Sequence, residues 1–305
     1  MSPKDLSQKQ LAMYKKSYVL ITPARNEEAH IEKTIKSVIS QTILPRKWLI
    51  VSDGSTDRTE EIINQYAGKF DFIRLLRVEG ANNRTTGSKV KAIQAGYKQL
   101  KDTEYDFIGN LDADVSFNPD YYEKVLIAFQ HNSKLGLAGG VIVDFLNERF
   151  VKRTTNRNHV AGAIQFFRRE CYEEIGGYVP VNVGVEDTIA EVMAQMHGWE
   201  TKTFPEIEVL HHRVAGTEGS SIHRARFRNG QEDYFLGYHP LFEIAKCIYR
   251  IREKPYLVGS LLRMVGYYWS WCRRHKRQHL GDDFVRYLRR QQMHRIARSL
   301  HRNRG

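Results

Sequence analysis

Through the first half of the chain, short apolar and β-branched runs alternate with segments whose apolar residues return at helical spacing. The runs "YVLITPA", "WLIVSDG", "FIRLLRV" and "YDFIGNLDAD" each hold roughly the 4–8 residues of a buried strand. Between them lie "EEAHIEKTIKSVISQ", "DRTEEIINQYAG" and "SKVKAIQAGYKQL". In the first of these, Ile31, Ile35, Val38 and Ile39 fall on one helical face. Strand and helix in alternation predict βαβ units and a mixed, mainly parallel sheet flanked by helices, an α/β fold. Asp57 with Glu60 three residues on predicts a capping box, and Asn118-Pro119 predicts an N-cap followed by proline at the first helical position.

After residue 135 the pattern changes. "LGLAGGVIV" and "AGAIQFFRR" read as strands and "ETKTFPEIEVLHHR" as a longer one, with a helix led by "EDTIAEVMAQMHG" before it. Ile189, Val192, Met193 and Met196 form that helix's apolar stripe. From about Ser220 the chain reads as helical, basic and aromatic. The expected organisation is an N-terminal extension over 1–17, an α/β domain over 18–219 and a helical C-terminal region over 220–305. No internal repeat or low-complexity tract interrupts it.

Charge sharpens this division. The net charge is +12, and residues 241–305 alone hold 16 Lys and Arg against 4 Asp and Glu, which leaves a neutral body. Such a tail favours phosphates, anionic lipid or nucleic acid. The best membrane candidate, "PYLVGSLLRMVGYYWSW" (255–271), is 17 residues long with Arg263 near its middle. A span needs about 20 mostly apolar residues, so this segment reads as an interfacial or buried helix. Three widely spaced cysteines without a C-x-x-C pair, and an N-terminus with no apolar h-region, predict a cytoplasmic protein, peripheral on the membrane at most.

The candidate chemistry sits at the ends of the strand candidates, where ligands of open α/β sheets bind. "PARNE" (23–27), Asp53 and the pair Asp112 and Asp114 all fall there. Two carboxylates one residue apart suit a hard divalent cation that also takes substrate phosphates. A buried Asp53 at a strand end can accept a base imide or ribose hydroxyls. Glu186 and Asp187 open a helix, where an acidic residue either balances the dipole or serves as a general base. A helix N-terminus lowers a carboxyl pKa whereas a base needs it raised, and burial sets the balance. His211 and His212 end the last strand, and alternation lets only one of the two face a metal held by Asp114.

Taken together these residues resemble the family 2 glycosyltransferases, the inverting group with the GT-A fold. The resemblance runs from about Tyr18 to Arg213 and rests on "VLITPARNEEAHIEKTIKSVISQ", "WLIVSDGSTDRTEEI", "GSKVKAIQAG", "FIGNLDADVSFNPDYYEKVL", "GAIQFFRRECYEEIGGY", "VEDTIAEVMAQMHGW" and "VLHHR", in order. It implies that Pro23, Ala24, Asn26, Glu27, Asp53, Lys89, Asp112 and Ala113 bind the nucleotide sugar. It further implies that Asp112, Asp114 and His211 hold Mn²⁺ or Mg²⁺, and that Asp187, with Glu186, acts as catalytic base. The partners it implies are a nucleotide-sugar donor and a glycan or lipid-linked acceptor, in polysaccharide or cell-envelope glycan synthesis. The chain departs from the family's processive members in lacking a Q-x-x-R-W sequence and their large transmembrane helices, which implies addition of a single sugar. The basic 241–305 segment, with Tyr267, Tyr268, Trp269 and Trp271, fits an anionic membrane surface.

Two rival functions remain. A sugar-nucleotide nucleotidyltransferase shares an α/β core, but "TPARNEEA" lacks the glycine-rich loop it needs. A nucleic-acid-binding protein would use the basic tail, yet clustered arginines give mainly non-specific affinity and leave the acidic clusters unexplained. No specific nucleic-acid partner is expected.

Overall fold

The computed structural model describes residues 16–78, 87–146, 149–153, 158–181, 184–213, 222–252, 255–275 and 280–302. The four apolar runs form β1 (Tyr18–Ala24), β2 (Lys47–Asp53), β3 (Ile73–Val78) and β4 (Phe107–Asn110). They pair parallel in the order β3-β2-β1-β4. The crossovers contain α1 (Ile31–Ile39), α2 (Thr59–Ala67) and α3 (Ser88–Lys98). Because side chains alternate along a strand, Tyr18 and Leu20 enter one core with Ile31, Ile35 and Val38 of α1. Val19 and Ile21 enter a second core on the opposite face, with Val90 and Ile93 of α3. Burial on both faces is why β1, β2 and β4 read as largely apolar runs, whereas the edge strand β3 exposes Arg74 and Arg77.

The remaining elements of this unit are β5 (Val115–Phe117), α4 (Tyr121–His131), β6 (Leu135–Leu146), β7 (Arg149–Lys152), β8 (Phe166–Arg168), α5 (Arg169–Glu174), α6 (Glu186–Met196) and β9 (Glu200–His211). The sheet continues β4-β8-β6-β9-β5, with β7 on β6. β8 is antiparallel to β4 and β6, β6 runs parallel to β9, and β9 is antiparallel to β5. This register sets Asp144 and Val115 opposite His211 on either side of β9.

Three local expectations need correction. Glu60 does not reach back to close a capping box, because Ser52 donates to its carboxylate at 2.7 Å and Arg77 Nε at 2.6 Å. Asp57 instead accepts from Thr59 N–H at 3.0 Å and from Glu28 N–H at 3.1 Å, tying two loops. The helix after Asn118-Pro119 starts at Tyr121 with Asp120 as its N-cap. "AGAIQFFRR" is strand only over Phe166–Arg168, preceded by a single 3₁₀ turn at Gly162–Ile164.

A second compact unit comprises Val183–Val185 and Ala215–Gly305. Its helices are α7 (Ile222–Phe235), α8 (Pro240–Tyr249), α9 (Tyr256–Cys272) and α10 (Asp282–Arg302). α7 and α9 approach backbone to backbone. A Cβ on Gly230 would lie 1.9 Å from the Arg263 carbonyl oxygen, and one on Gly266 2.1 Å from that of Phe227. Among the described residues no helix is long and apolar enough to cross a membrane.

Candidate functional site

The sequence-predicted residues gather at the carboxyl ends of β1, β2 and β4, and each is placed by its backbone. After β1, Asn26 adopts φ 55°, the left-handed region that asparagine tolerates. Its side-chain oxygen accepts from Thr56 N–H at 2.8 Å, pinning this loop to the one after β2. Glu27 N–H donates to Thr59 Oγ1 at 2.7 Å, and the buried Glu27 carboxylate accepts from Arg213. Asp53, the last residue of β2, is buried with Arg25 at 3.5 Å.

Beyond β4, three elements clamp the segment carrying Asp112 and Asp114. Leu111 N–H donates to the Ile21 carbonyl at 3.0 Å, and Asp112 N–H to that of Ala163 at 2.9 Å. Thr34 Oγ1 donates to the carbonyls of Ala113 at 2.8 Å and Val115 at 2.7 Å. Asp112 then meets Lys89 Nζ at 2.7 Å. Asp114 meets Arg213 Nε at 2.8 Å and His211 Nε2 at 3.5 Å.

The structure separates the two histidines as strand alternation requires. His211 turns to Asp114, with its Nδ1 3.0 Å from Asp144 Oδ1. Asp144 is itself gripped by Arg153 through two bonds of 2.9 and 2.7 Å. His212 turns away, its Nε2 2.7 Å from Ser116 Oγ and its ring stacked on His30.

Glu186 and Asp187 occupy the first turn of α6. Gln165 fixes that turn by donating to the Asp187 carbonyl at 3.2 Å, while Tyr178 OH donates to Gln165 Oε1 at 2.5 Å. The Asp187 side chain lies over Gly162, where an added Cβ would come 2.8 Å from Asp187 Oδ2. Only glycine leaves room for this carboxylate.

Burial sets the charge states, and opposed partners correct them. Burial raises the Glu186 carboxyl, with Lys89 opposing, so desolvation outweighs the helix terminus here. Burial pushes Glu27 up to about 7 although Arg213 resists. Burial also opposes the charge of Asp114, but hydrogen bonds from His211 and Arg213 hold its carboxyl well below the usual range. Burial works against the His211 imidazolium as well, yet Asp114 and Asp144 lift it to about 9. Lys89 stays charged because Asp112 and Glu186 outweigh its desolvation, while burial raises Asp112 and Lys89 offsets part of that rise.

Among the described residues no group of three or more His, Cys, Asp or Glu side chains stands ready-made around a metal. The donor chemistry nonetheless fits one hard divalent ion. Asp114 Oδ1 is buried with no hydrogen-bond partner. His211 beside it is oriented from behind by Asp144, as metal-ligating histidines commonly are. Such an ion takes one or two carboxylates and leaves its other positions to substrate phosphates.

Four contributors escaped the sequence reading. Arg213 bridges Asp114 and Glu27, Asp144 and Arg153 back His211, and Gln165 braces α6. Arg213 had a signal, since it closes the "VLHHR" segment. Asp144 and Arg153 had none, because Asp144 meets His211 only through the register of β6 and β9, and Arg153 reaches Asp144 from just beyond β7.

The chain matches the family model "Glycosyl transferase family 2" over residues 19–192. It is 31% identical over 140 residues to the poly-beta-1,6-N-acetyl-D-glucosamine synthase of Staphylococcus aureus strain COL, covering 46% of this chain and 29% of that protein. The S. epidermidis synthase is 29% identical over the same length. The chain thus spans less than a third of the length of these curated relatives. In fold it is similar to the mannosyltransferase PcManGT of Pyrobaculum calidifontis, solved with GDP-Man and Mn²⁺, with TM-score 0.55, 16% identity, and coverage of 94% of this chain and 87% of that one. It is also similar to S. aureus TarS, solved with UDP-GlcNAc, with TM-score 0.52, 12% identity, and coverage of 83% and 71%. With a family-model match over more than half of the sequence, the chain belongs to glycosyl transferase family 2.

Proposed function

We propose that the protein moves one sugar from a nucleoside-diphosphate sugar, UDP-linked, to a hydroxyl of a glycan or lipid-linked acceptor in cell-envelope glycan synthesis, with inversion at the anomeric carbon. The observation that carries this is the meeting of Lys89, Asp112, Asp114, His211 and Arg213 at the carboxyl edge of the sheet. Acids that suit a metal and cations that suit phosphates lie there in direct contact. The UDP-GlcNAc in the TarS structure supports a UDP-linked donor, and the N-acetyl-D-glucosamine in the synthase relatives' name supports that sugar.

The roles follow from chemistry. Asp53 accepts hydrogen bonds from base or ribose, and Asn26 holds the two flanking loops in register. Asp112, Asp114 and His211 would hold the divalent ion, which when bound neutralises charge on the departing diphosphate. Lys89 and Arg213 present ammonium and guanidinium groups suited to the same phosphates. Asp187 takes the proton of the acceptor hydroxyl as its oxygen forms the new glycosidic bond, and the nucleoside diphosphate leaves with the bonding electrons. Gly162 and Gln165 keep that carboxylate in place. Glu186, raised by burial, supports Asp187 or contacts the acceptor.

Nucleotide sugars screened with Mn²⁺ for release of nucleoside diphosphate test this directly. Release from UDP-GlcNAc or another UDP-sugar, lost when EDTA replaces the metal, is expected. Equal release with and without metal would overturn the metal role, and no release from any donor would overturn the transfer reading.

A further inference from the structure

A surface helix in water turns its polar residues outward and its apolar residues inward. α9 does the reverse. Its buried positions are Gly259, Ser260, Arg263, Gly266, Tyr267 and Ser270. Leu257, Leu261, Val265 and Trp269, each four residues apart, lie outward, with Val258 beside them. Leu257 is 62% exposed and Leu261 53%, against 8% for Arg263, the helix's one charged residue. α8 repeats the inversion, with Glu243 fully buried while Leu241 and Ile248 are 56% and 62% exposed.

The inward charges of Asp233, Glu243, Lys246 and Arg263 form one linked set of ion pairs. Asp233 of α7 accepts from Lys246 at 3.0 Å and from Arg263 Nε at 2.9 Å, and Glu243 lies 3.3 Å from Arg263. Burying three ion pairs carries a desolvation cost, and leaving two apolar faces in water adds another. An arrangement bearing both costs is favourable when the outward faces leave water.

Charge identifies what receives them. Arg250 and Arg252 precede α9, and Arg273 and Arg274 follow it, with the Arg273 guanidinium 4.5 Å from the centre of the Trp269 ring. The whole segment from Leu241 holds 16 Lys and Arg against 4 acids. A second copy would bring the same positive charge to the contact, whereas an anionic bilayer brings the opposite. At 17 residues α9 is about 26 Å long, short of the roughly 20 residues a span needs. Trp269 and Trp271, both exposed, are of the type that settles at the headgroup level.

The geometry points to α8 and α9 as a docking face for the headgroup region of an anionic phospholipid bilayer. Leu257, Leu261, Val265 and Trp269 enter the acyl boundary, and the arginines at both ends of α9 meet lipid phosphates. The polar side of each helix, which in an ordinary interfacial helix faces water, here packs against its own protein.

Flotation of the full chain tests this, using vesicles of equal parts phosphatidylglycerol and phosphatidylcholine, and vesicles of phosphatidylcholine alone. Binding to the anionic vesicles at least about tenfold tighter than to the neutral ones is expected, with a fall as NaCl rises from about 0.1 to about 1 M. Leu257→Glu combined with Leu261→Glu is expected to cut that binding at least about tenfold with an unchanged circular dichroism spectrum. Should that variant unfold, Arg273→Glu with Arg274→Glu carries the test, and is expected to abolish the preference for anionic vesicles. Wild-type flotation by whichever variant folds would overturn the proposal. So would a wild-type chain that stays off vesicles and forms a dimer in light scattering which the leucine variant dissociates.

Discussion

Asp187 and Asp144 are both carboxylates of the same unit, and in the proposed reaction they would support different steps. Asp187, packed over Gly162, is the proposed base, so Asp187→Asn should lower turnover about 10²–10⁴-fold while titration calorimetry shows donor affinity little changed. Asp144 acts through His211, so Asp144→Asn should weaken Mn²⁺ binding about 10–100-fold with only a small change in nucleotide affinity measured at saturating metal. His211 adds a pH dependence. Its pKa rises from an ordinary value of about 6.5 to about 9 in the metal-free fold. The folded chain therefore holds this proton more tightly than the unfolded one. The resulting stability is fully present below about pH 6.5 and is lost as pH rises through about 9. Thermal melts of the metal-free protein at both ends of that window should show a larger loss for wild type than for His211→Gln. Asp112, Asp114, Asp187 and His211 were legible as residues because each lies at or beside the end of an element: Asp112 and Asp114 between β4 and β5, Asp187 in the first turn of α6 and His211 at the end of β9. Their partners were not, since Arg213 meets Asp114 across 99 positions through strand pairing alone.

At the scale of elements, strands buried on both faces wrote themselves as apolar runs, and β1 to β4 fell where those runs predict. β5 and β8, at three residues each, are too short to show a period and are defined by pairing with β9, β4 and β6. The failed capping box has the same origin, because Ser52 and Arg77 compete for Glu60 from outside its helix. α9 was legible as a helix but not in its orientation, which Asp233 and the close α7 crossing decide. That crossing is testable. Gly266→Ala forces a methyl group towards the Phe227 carbonyl, and should destabilise the helical unit by about 1–3 kcal/mol, read as a lower denaturation midpoint by circular dichroism.

For the whole molecule, charge segregation was visible in the sequence as a neutral body and a basic end, and the chain divides into two compact units with the basic end in the second. The paired state of the catalytic edge carries a further consequence. Lys89 occupies Asp112, and Arg213 and His211 occupy Asp114. A metal ion that takes Asp112 and His211 as well as the unpartnered Asp114 Oδ1 must break these pairs and strand the cations, and a diphosphate that takes Lys89 and Arg213 must strand the acids. Arriving together, each takes the partner the other has released. Metal and nucleotide should therefore bind with reciprocal positive coupling, about 5–150-fold in either affinity. Measuring UDP affinity with and without Mn²⁺, and Mn²⁺ affinity with and without UDP, should return one factor from both directions. Lys89→Met, which removes one of the internal cations, should shrink it.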